Sequence, residues 1–435
     1  MSEPSTSSTP PEVETDAAPL VVRTVHVEDP GTLVALLPPG PEVTTWIRRG
    51  DGLVGWGTAA VRRTTGADRF TDARDWWDHQ RSTAVVRDEV GEPGSGLVCF
   101  GSFAFADEPG ESVLVVPEVV VGRRGSTAWV TTIGAGSIPS TPQLRSAAQP
   151  AAPTGVTFTD GALSGPDWER AVADAVSRIN AGDLEKVVLA RDLLATAEQD
   201  MDVRWPLARL AETYEMCWTF HVDGLLGATP EMLVRRERGL VTSRVLAGTI
   251  RRTGDDARDL ALAATLARSS KDLEEHEYAV RSVAEALTPY CSSMNVPESP
   301  FVLHLPNVMH LATDVAGVVH ENAGRGSTRT TSLDLAAALH PSAAVGGTPT
   351  ALATRLITEI EGMDRRRYAG PVGWMDASGD GEWGLALRSA EVDGRRVRLF
   401  AGCGIVADSD PEAELAEAQA KFVPVRDALS GLDRG

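Results

Sequence analysis

Short apolar stretches separated by glycine-bearing turns fill the first third of this sequence and constrain its fold more than any other feature. They lie between residues 19 and 135 and include LVVRTVHVE, TTWIRRGDGLVGWGTAAV, SGLVCFGSFAF and SVLVVPEVVVGRRGSTAWVTTIG. Apolar runs of this length, bounded by turn residues, are typical of β-strands. We therefore expect 19–135 to form a β-rich amino-terminal part, and the length of the chain allows either one large domain or two ordinary ones.

Two stretches of biased composition flank this part of the chain. Residues 1–18 have neither a basic start nor an apolar run, which predicts a disordered tail and argues against a signal peptide or membrane anchor. Residues 136–163 are rich in Ser, Pro, Ala and Thr, which predicts an exposed connection. No apolar run reaches the roughly 20 residues that a membrane-spanning helix needs.

A helix followed by a strand is predicted directly after this connection. Ser164 and Pro166 are helix start signals, and Gly182 is a stop signal. The EKVVLAR strand at 185–191 places Lys186 on the same face as Val188 and Ala190. A charged side chain on a mostly apolar face indicates a role beyond packing. Further along, 368–406 has the pattern of a hairpin, with turns at 379–381 and 393–394.

Lysine is so rare here that each example is informative. The 41 basic residues include only Lys186, Lys271 and Lys421, and the rest are arginines. Drift in an arginine-rich genome explains the scarcity, but not where the three remain. Lysine differs from arginine in being able to lose its proton near neutral pH when its surroundings favour the neutral form. The three positions are therefore candidates for base chemistry or for a site that needs a compact ammonium.

Two predicted helices carry carboxylates at helical spacing. Asp272 and Glu275 are three residues apart in KDLEEHEYAVRSVAEAL, and Glu414, Glu417 and Lys421 share one face of PEAELAEAQAKFVPV. Together the acidic residues could bind Mg²⁺, which prefers oxygen ligands. Acidic residues on helices are more often solvated surface, so this pattern alone leaves both interpretations open.

Glu231 and two histidines are further candidates. Glu231 follows a proline at the predicted exit of a strand, where burial would raise its pKa and suit it to act as a general acid, although a helix-starting glutamate is an equal alternative. His310 and His340 have contexts that favour packed, hydrogen-bonded side chains over catalysts, and no nucleophile accompanies them.

The composition excludes several classes of function. A net charge of −20 offers no basic patch for nucleic acid or an anionic membrane, so an anionic substrate would require a locally positive site. Four cysteines without metal-ligand or disulfide spacing are typical of a reducing cytoplasm, where we expect the protein to act.

Taken together, the segments between about 165 and 425 resemble the chorismate-utilising enzymes, the family of isochorismate, salicylate, anthranilate and aminodeoxychorismate synthases. The resemblance implies a single α/β (α+β) domain of antiparallel sheets flanked by helices, with 164–430 as the chorismate-binding catalytic region. The matching stretches, in order, are EKVVLAR, GATPEML, VLAGTIRR, SSKDLEEHE, VMHLATDV, LHPSAAVGGTP, YAGPVGWMDASGDGEWGLALRS, LFAGCGIV and ELAEAQAK.

Three positions distinguish the members of this family by resemblance. Lys186 resembles the general base of the water-using isochorismate and salicylate synthases, where ammonia-using anthranilate synthases carry glutamine. Ala247 replaces the lysine of lysine-nucleophile aminodeoxychorismate synthases. Ala344 matches isochorismate synthases, whereas the pyruvate-eliminating members usually have Thr or Ser. The resemblance thus favours isochorismate synthase, with salicylate synthase and a non-catalytic chorismate-binding partner subunit as alternatives.

The same resemblance implies roles for individual residues. Lys186 would activate water for attack at C2 of chorismate, and Glu231 would protonate the departing C4 hydroxyl. Glu275 and Glu417 would bind Mg²⁺, supported by Glu414 and Asp272. The residues expected around the substrate are Gly248, Thr249, His310, Ala344, Tyr368, Arg388, Gly402 and Lys421. Lys271 is expected to pair with the acidic helix.

Chorismate is the expected small-molecule partner, with no nucleic acid, membrane or obligatory glutamine-amidotransferase subunit. The resemblance leaves open whether the product enters menaquinone, catechol siderophore or salicylate synthesis.

Overall fold

In this computed structural model, two large β-sheets and eight α-helices organise the residues that the structure describes. It describes residues 18–137, 139–305, 308–320 and 329–430, except for the side chains of Lys271 and Glu275. The predicted tail therefore lies almost entirely outside the described residues. Among the described helices, none combines the length and the apolar character needed to cross a membrane.

The strands are β1 (Leu20–Val27), β2 (Val43–Arg48), β3 (Asp51–Trp56), β4 (Ala60–Thr64), β5 (Val85–Asp88), β6 (Val98–Ser102), β7 (Ser112–Val116), β8 (Val119–Arg124), β9 (Thr127–Ala135), β10 (Thr157–Asp160), β11 (Lys186–Thr196), β12 (Trp218–Val222), β13 (Leu225–Thr229), β14 (Met232–Glu237), β15 (Leu240–Arg251), β16 (Cys291–Asn295), β17 (Phe301–His304), β18 (Val308–Val319), β19 (Gly347–Thr348), β20 (Pro371–Asp376), β21 (Gly381–Leu385), β22 (Ser389–Asp393) and β23 (Arg396–Ile405). The helices are α1 (Arg69–Thr83), α2 (Gly165–Asn180), α3 (Arg204–Thr213), α4 (Asp256–Leu266), α5 (Ser270–Leu287), α6 (Ser332–Leu339), α7 (Thr350–Ile360) and α8 (Pro411–Leu429).

Both sheets combine strands from the two ends of the chain. The first has the order β10-β11-β23-β22-β13-β12-β2-β3-β8-β9-β1-β5, with β19 beside β11. The second has the order β16-β18-β15-β14-β21-β20-β6-β7-β4, with β17 beside β18. Among the described strands, β1 and β5 run parallel and the other pairs are antiparallel. The expected α/β (α+β) fold with antiparallel sheets and flanking helices is confirmed.

Apolar side chains from both sheets meet in one core. Trp46 and Phe220 of the first sheet share a buried cluster with Phe100 and Trp374 of the second. Because successive side chains of a strand alternate between its faces, the outer faces remain free to pack against helices. Another cluster joins Trp168 of α2 and Leu333 of α6 to these outer faces.

The structure contains the helix predicted at 164–182 and, before it, the predicted connection. The helix expected at 164–182 is α2, with Ser164 as the N-cap accepting a hydrogen bond from the backbone of Asp167. In the connection at 136–163, the described residues up to 156 are irregular, but Thr157–Asp160 form β10, which pairs with β11 and extends the first sheet.

The single hairpin predicted for 368–406 is wrong. The turn at 379–381 joins β20 to β21 in the second sheet, whereas the turn at 393–394 joins β22 to β23 in the first. The chain therefore crosses from the second sheet to the first after Leu385. This crossing contributes to the site described next.

Candidate active site

A polar cavity of about 330 Å³ lies where strands of the two sheets approach each other. Its walls come from β11 and β23 of the first sheet, β15 and β18 of the second, α5, α8 and several connecting turns. The predicted residues that line it are Lys186, Glu231, Gly248, Thr249, Asp272, His310, Ala344, Tyr368, Arg388, Gly402, Glu414, Glu417 and Lys421. Glu275 belongs to α5, but its side chain lies outside the described residues, as does that of Lys271.

Lys186 begins β11 and extends towards the cavity. Lys186 and Val188 line the cavity, whereas Val187 and Leu189 are fully buried in the core, as strand alternation predicts. Gly347 allows β19 to pass beside this lysine. A Cβ atom at Gly347 would lie 2.2 Å from the carbonyl oxygen of Lys186, and its φ of +144° also favours glycine.

Glu231 lies in the connection between β13 of the first sheet and β14 of the second. The alternative interpretation of Glu231 as a helix-starting residue is therefore wrong. Burial raises the pKa of its carboxyl group to about 7, although the positive charges of Arg388 and Lys186 lower it. A carboxyl group with this pKa is partly protonated at neutral pH, as a general acid requires.

Arg388 lies in the crossing from β21 of the second sheet to β22 of the first. Its φ of +50° is uncommon for a residue with a side chain, and its carbonyl accepts a hydrogen bond from the backbone of Ala228 at 3.2 Å. Tyr368 lines the same wall and stacks on Phe400 with 5.1 Å between ring centroids. Together with Lys421, Arg388 gives the site the local positive charge that an anionic substrate needs.

Another wall of the polar cavity is built by β15 and β18. The pairing of these strands shifts register between Ala247 and Thr249, and Gly248 has a φ of +69° at this bulge. The Nδ1 atom of His310 lies 3.0 Å from the hydroxyl of Thr249 and 3.2 Å from the carbonyl oxygen of Gly248. Because a carbonyl oxygen only accepts, the contact with Gly248 favours a proton on Nδ1.

This tautomer leaves the Nε2 atom of His310 as an acceptor. Nε2 is buried and has no hydrogen-bond partner among the described residues. Burial, followed by repulsion from Arg388 and Lys421, lowers the pKa of His310 to about 3, so the ring is neutral at physiological pH. Its free nitrogen suits a hydroxyl group of a ligand. His340 instead bonds to the carbonyl of Phe105 at 3.0 Å, as expected for a packed histidine.

The helix α8 presents an acidic group and a lysine on its cavity face. Glu417 and Lys421 form an ion pair at 2.6 Å, and the Nζ atom of Lys421 also donates to the carbonyl of Gly402 at 2.8 Å. Burial raises the pKa of Glu417, but attraction to Lys421 and Arg388 outweighs it and holds the value below normal. Burial and the neighbouring charge of Glu417 instead raise the pKa of Glu414.

These carboxylates fit a divalent cation. Glu414, Glu417 and the thiol of Cys403 offer potential ligand atoms that all lie within 4.8 Å of one another. The thiol is buried and its pKa is raised by burial, so it remains protonated and unsuited to a hard ion. The two carboxylates offer the oxygen ligands that Mg²⁺ prefers, and Asp272 lines the same cavity.

Sequence reasoning missed several residues that support this site. Ser409 donates a hydrogen bond to the carboxylate of Glu414 at 2.9 Å, and the thiol of Cys403 donates to the backbone carbonyl of Glu414 at 3.4 Å. Arg365 lines the cavity and pairs with Glu361. The i, i+4 spacing of Glu361 and Arg365 was the available signal for that pair. Nothing local in the sequence indicates that the pair is buried.

Two other cavities clarify the limits of the site. One of about 320 Å³ shares Pro230, Thr249, Arg388, Glu417 and Lys421 with the polar cavity and is otherwise mostly apolar; we call it the side cavity. The rest of its lining is Tyr214, Cys217, Ala228, Arg251, Leu305, Val308, Ala413, Ala416, Ala420 and Pro424. A larger cavity of about 790 Å³ lies against α3 and contains none of the predicted site residues, so size alone does not identify the site.

Comparison with known proteins agrees with this geometry. The chain is 41% identical to the isochorismate synthase DhbC of Bacillus subtilis over 267 residues, which cover 59% of this chain and 66% of that protein. It is 31% identical to the isochorismate synthase MenF of the same organism over 417 residues, which cover 87% of this chain and 85% of that protein. The crystal structure of DhbC from Bacillus anthracis superimposes with a TM-score of 0.75 at 32% identity, covering 92% of this chain and 99% of that one.

The family model described as "Chorismate binding enzyme" matches residues 42–430. This range includes every residue that lines the polar cavity. It also includes most of the β-rich amino-terminal part, for which the sequence resemblance is weak. This chain therefore belongs to the family of chorismate-binding enzymes.

Proposed function

We propose that this protein is an isochorismate synthase that converts chorismate to isochorismate in the polar cavity, with Mg²⁺ as its cofactor. The isochorismate synthases among its relatives support the reaction. The observation that carries the proposal is the meeting of Lys186 with a buried carboxyl group, Glu231, whose pKa is near 7. A base and a protonated acid in one cavity are what exchange of a hydroxyl group requires.

The reaction adds one water molecule and releases another. Lys186, in its neutral form, takes a proton from water as the oxygen bonds to C2 of the ring. The ring double bond migrates, and the C4–oxygen bond breaks as Glu231 donates its proton to the departing hydroxyl. The product is an isomer of the substrate, so neither an oxidant nor ammonia is consumed. Return of the proton from Lys186 to Glu231 through solvent completes the cycle.

Positive charge and polar groups hold the substrate during this exchange. Arg388 and Lys421 attract the carboxylates of chorismate, and Tyr368 offers a hydroxyl beside them. The Nε2 atom of His310 accepts a hydrogen bond from a substrate hydroxyl. Gly248 and Gly402 expose backbone at the cavity wall, so that the ring can approach closely.

Glu275 and Glu417, supported by Glu414 and Asp272, would hold the proposed Mg²⁺. When bound, the ion supplies positive charge for a substrate carboxylate. We expect Glu417→Gln to raise the Mg²⁺ concentration needed for half-maximal activity about tenfold or more, because a charged oxygen ligand is lost. Titration of activity with Mg²⁺ measures this change. An unchanged titration curve would remove Glu417 from the ligand set.

The decisive experiment is incubation of the purified protein with chorismate and Mg²⁺ without ammonia, followed by chromatography with mass detection. Isochorismate alone, lost on addition of EDTA, is the expected result. Salicylate with pyruvate would instead identify a salicylate synthase. Ala344 argues against that alternative because it brings no hydroxyl group to the cavity wall.

Absence of turnover with intact chorismate binding would identify a non-catalytic partner subunit. The presence of Lys186, Glu231 and the acidic residues of α8 in one cavity argues against this alternative, since binding alone does not require an acid and a base.

A further inference from the structure

The strand that carries Lys186 has a gap along one edge. On one side, β23 pairs with β11 from Val187 to Thr196. On the other side, β19 covers Lys186 and Val187, and β10 covers the range from 193 to 196. Just beyond these strands, the N–H of Val188 donates to the carbonyl of Gly346 at 2.8 Å, and the carbonyl of Asp192 accepts from Gly161 at 3.1 Å. Between these two contacts, none of the described strands pairs with β11 on that side. Backbone groups in such a gap need other partners, because an unpaired buried donor or acceptor is costly.

Two charged side chains fill this gap. The backbone N–H of Ala190 donates to Oε1 of Glu361 at 2.7 Å. The carbonyl of Val188 accepts from Nη2 of Arg365 at 2.6 Å. Glu361 and Arg365 also form a two-pronged ion pair with each other. The pair therefore replaces the backbone of a neighbouring strand within four residues of Lys186.

The same arginine reaches a second wall of the cavity. Its Nη1 atom donates to the carbonyl of Val345 at 2.9 Å, next to Ala344. Its guanidinium group also stacks on the ring of Phe105, 4.3 Å from the centroid. One rigid planar group thus joins the strand of Lys186 to the turn that carries Ala344. A lysine at position 365 could not make these contacts at once.

Burial of the pair indicates a role other than simple stabilisation. The side chains of Glu361 and Arg365 are only 1% and 2% exposed. Removing two charges from water costs about as much as their attraction returns, so a buried ion pair contributes little net stability. The backbone hydrogen bonds it makes fix positions, which is the property that a catalytic base needs.

We propose that Glu361 and Arg365 are positioning residues that fix Lys186 and Ala344 in the cavity. This inference rests on the proposed function, in which Lys186 is the base. Neither side chain has to donate or accept a proton in the reaction. Loss of the pair should therefore lower kcat while leaving the affinity for chorismate almost unchanged.

The test compares Arg365→Lys with Arg236→Lys as a matched control. Arg236 forms another buried ion pair, with Asp380, and does not line the cavity. For Arg365→Lys we expect kcat to fall at least tenfold with KM within threefold of the unaltered protein. Hydrogen exchange measured by mass spectrometry should become faster in the peptide spanning 186–191. Arg236→Lys should leave kcat, KM and the exchange rate at 186–191 unchanged, although it should lose a similar amount of thermal stability.

Each outcome decides the inference. A kcat within twofold of the unaltered protein, unchanged exchange at 186–191, or an equal loss of kcat in Arg236→Lys would each overturn it. If Arg365→Lys does not fold, Glu361→Gln replaces it as the test variant. The amide oxygen of the glutamine can still accept from Ala190, but the charge that pairs with Arg365 is removed. We then expect kcat to fall at least threefold, and an unchanged kcat would overturn the inference. Failure of the unaltered protein to form isochorismate would overturn the proposed function instead. The exchange measurement would still report whether Arg365 holds the strand at 186–191 in place.

Discussion

At the scale of single residues, environment rather than residue type gives the site its chemistry. Glu231 is buried and Glu417 is half-buried in the same cavity, and burial raises the pKa of the first whereas ion pairing lowers that of the second. In the proposed function, this difference separates a proton donor from a charged carboxylate that would bind a cation. Two identical side chains thus differ in charge because Glu417 forms an ion pair with Lys421, whereas the effect of burial dominates at Glu231.

Lys186 is the residue whose replacement should affect turnover most. We expect Lys186→Arg to reduce kcat by about a thousandfold, because a guanidinium group does not lose its proton in proteins and cannot act as a base. Steady-state kinetics with chorismate measure the loss, and circular dichroism checks the fold. An arginine variant with substantial activity would show that another group activates water.

Glu231 should couple activity and stability to pH in the same range. Its pKa is about 7 in the folded protein and near 4.5 in the unfolded chain. The folded state therefore holds a proton that the unfolded state has lost, and stability falls as pH rises from about 4.5 to about 7. Glu231→Gln should remove this fall and stabilise the metal-free protein by up to about 3 kcal/mol above pH 7, because glutamine does not titrate.

Urea unfolding at pH 5 and pH 8 measures that gain, which should be small at pH 5. For the unaltered enzyme, kcat/KM should decrease as pH rises through about 7, since the general acid loses its proton. The Gln variant should have almost no turnover at either pH. Equal stabilisation at both pH values would contradict the assignment of the raised pKa to Glu231.

At the scale of elements, a helix start holds the proposed metal ligands. Asp410 is the N-cap of α8 and accepts a hydrogen bond from the backbone of Ala413 at 2.9 Å. Asp410→Ala should cost about 1 kcal/mol and loosen the turn that carries Glu414. We expect Mg²⁺ to bind more weakly, so that a higher Mg²⁺ concentration is needed for half-maximal activity, with little change in kcat at saturating metal.

Asp255 provides a matched control for this prediction, since it caps α4 in the same way, accepting from the backbone of Arg258 at 2.8 Å. Asp255→Ala should lower stability similarly without changing the Mg²⁺ titration. Thermal unfolding and metal titration of both variants measure the two effects. Equal shifts in the metal titration would show that general loosening, not the position of Glu414, is responsible.

Local signals also explain which elements could be predicted from sequence. Capping residues and periodicity identify α2 and α8, and alternation identifies the face of Lys186, because these depend on neighbours within a few residues. The two hairpins of 368–406 could not be assigned to different sheets, since their other partners, β6 and β13, lie far away in sequence. The Glu361–Arg365 pair was missed for the same reason, as its role depends on a gap in a sheet.

At the scale of the whole molecule, the site depends on both sheets and on both ends of the chain. The family resemblance located the catalytic region within 164–430, and the family match confirms the resemblance over 42–430. What the sequence did not reveal is that β2 pairs with β12 and β6 with β20. The amino-terminal strands are therefore integral to both sheets.

This interleaving predicts one cooperative unfolding transition for the chain. Neither 19–135 nor 164–430 contains a complete sheet, so each should lack a stable fold alone. We expect calorimetry and circular dichroism to give coincident transitions, and a fragment covering 164–435 to be inactive. Two resolved transitions, or an active fragment, would show that the two parts fold independently.

The side cavity has a consequence for the design of inhibitors. A compound that imitates the substrate occupies only the polar cavity, where related chorismate-binding enzymes are expected to be most alike. A polar head group that carries an apolar extension would pass Thr249 and Arg388 and reach side chains such as Tyr214, Leu305 and Pro424. Such a compound would gain affinity from apolar burial and discriminate between enzymes through residues that the reaction itself does not use.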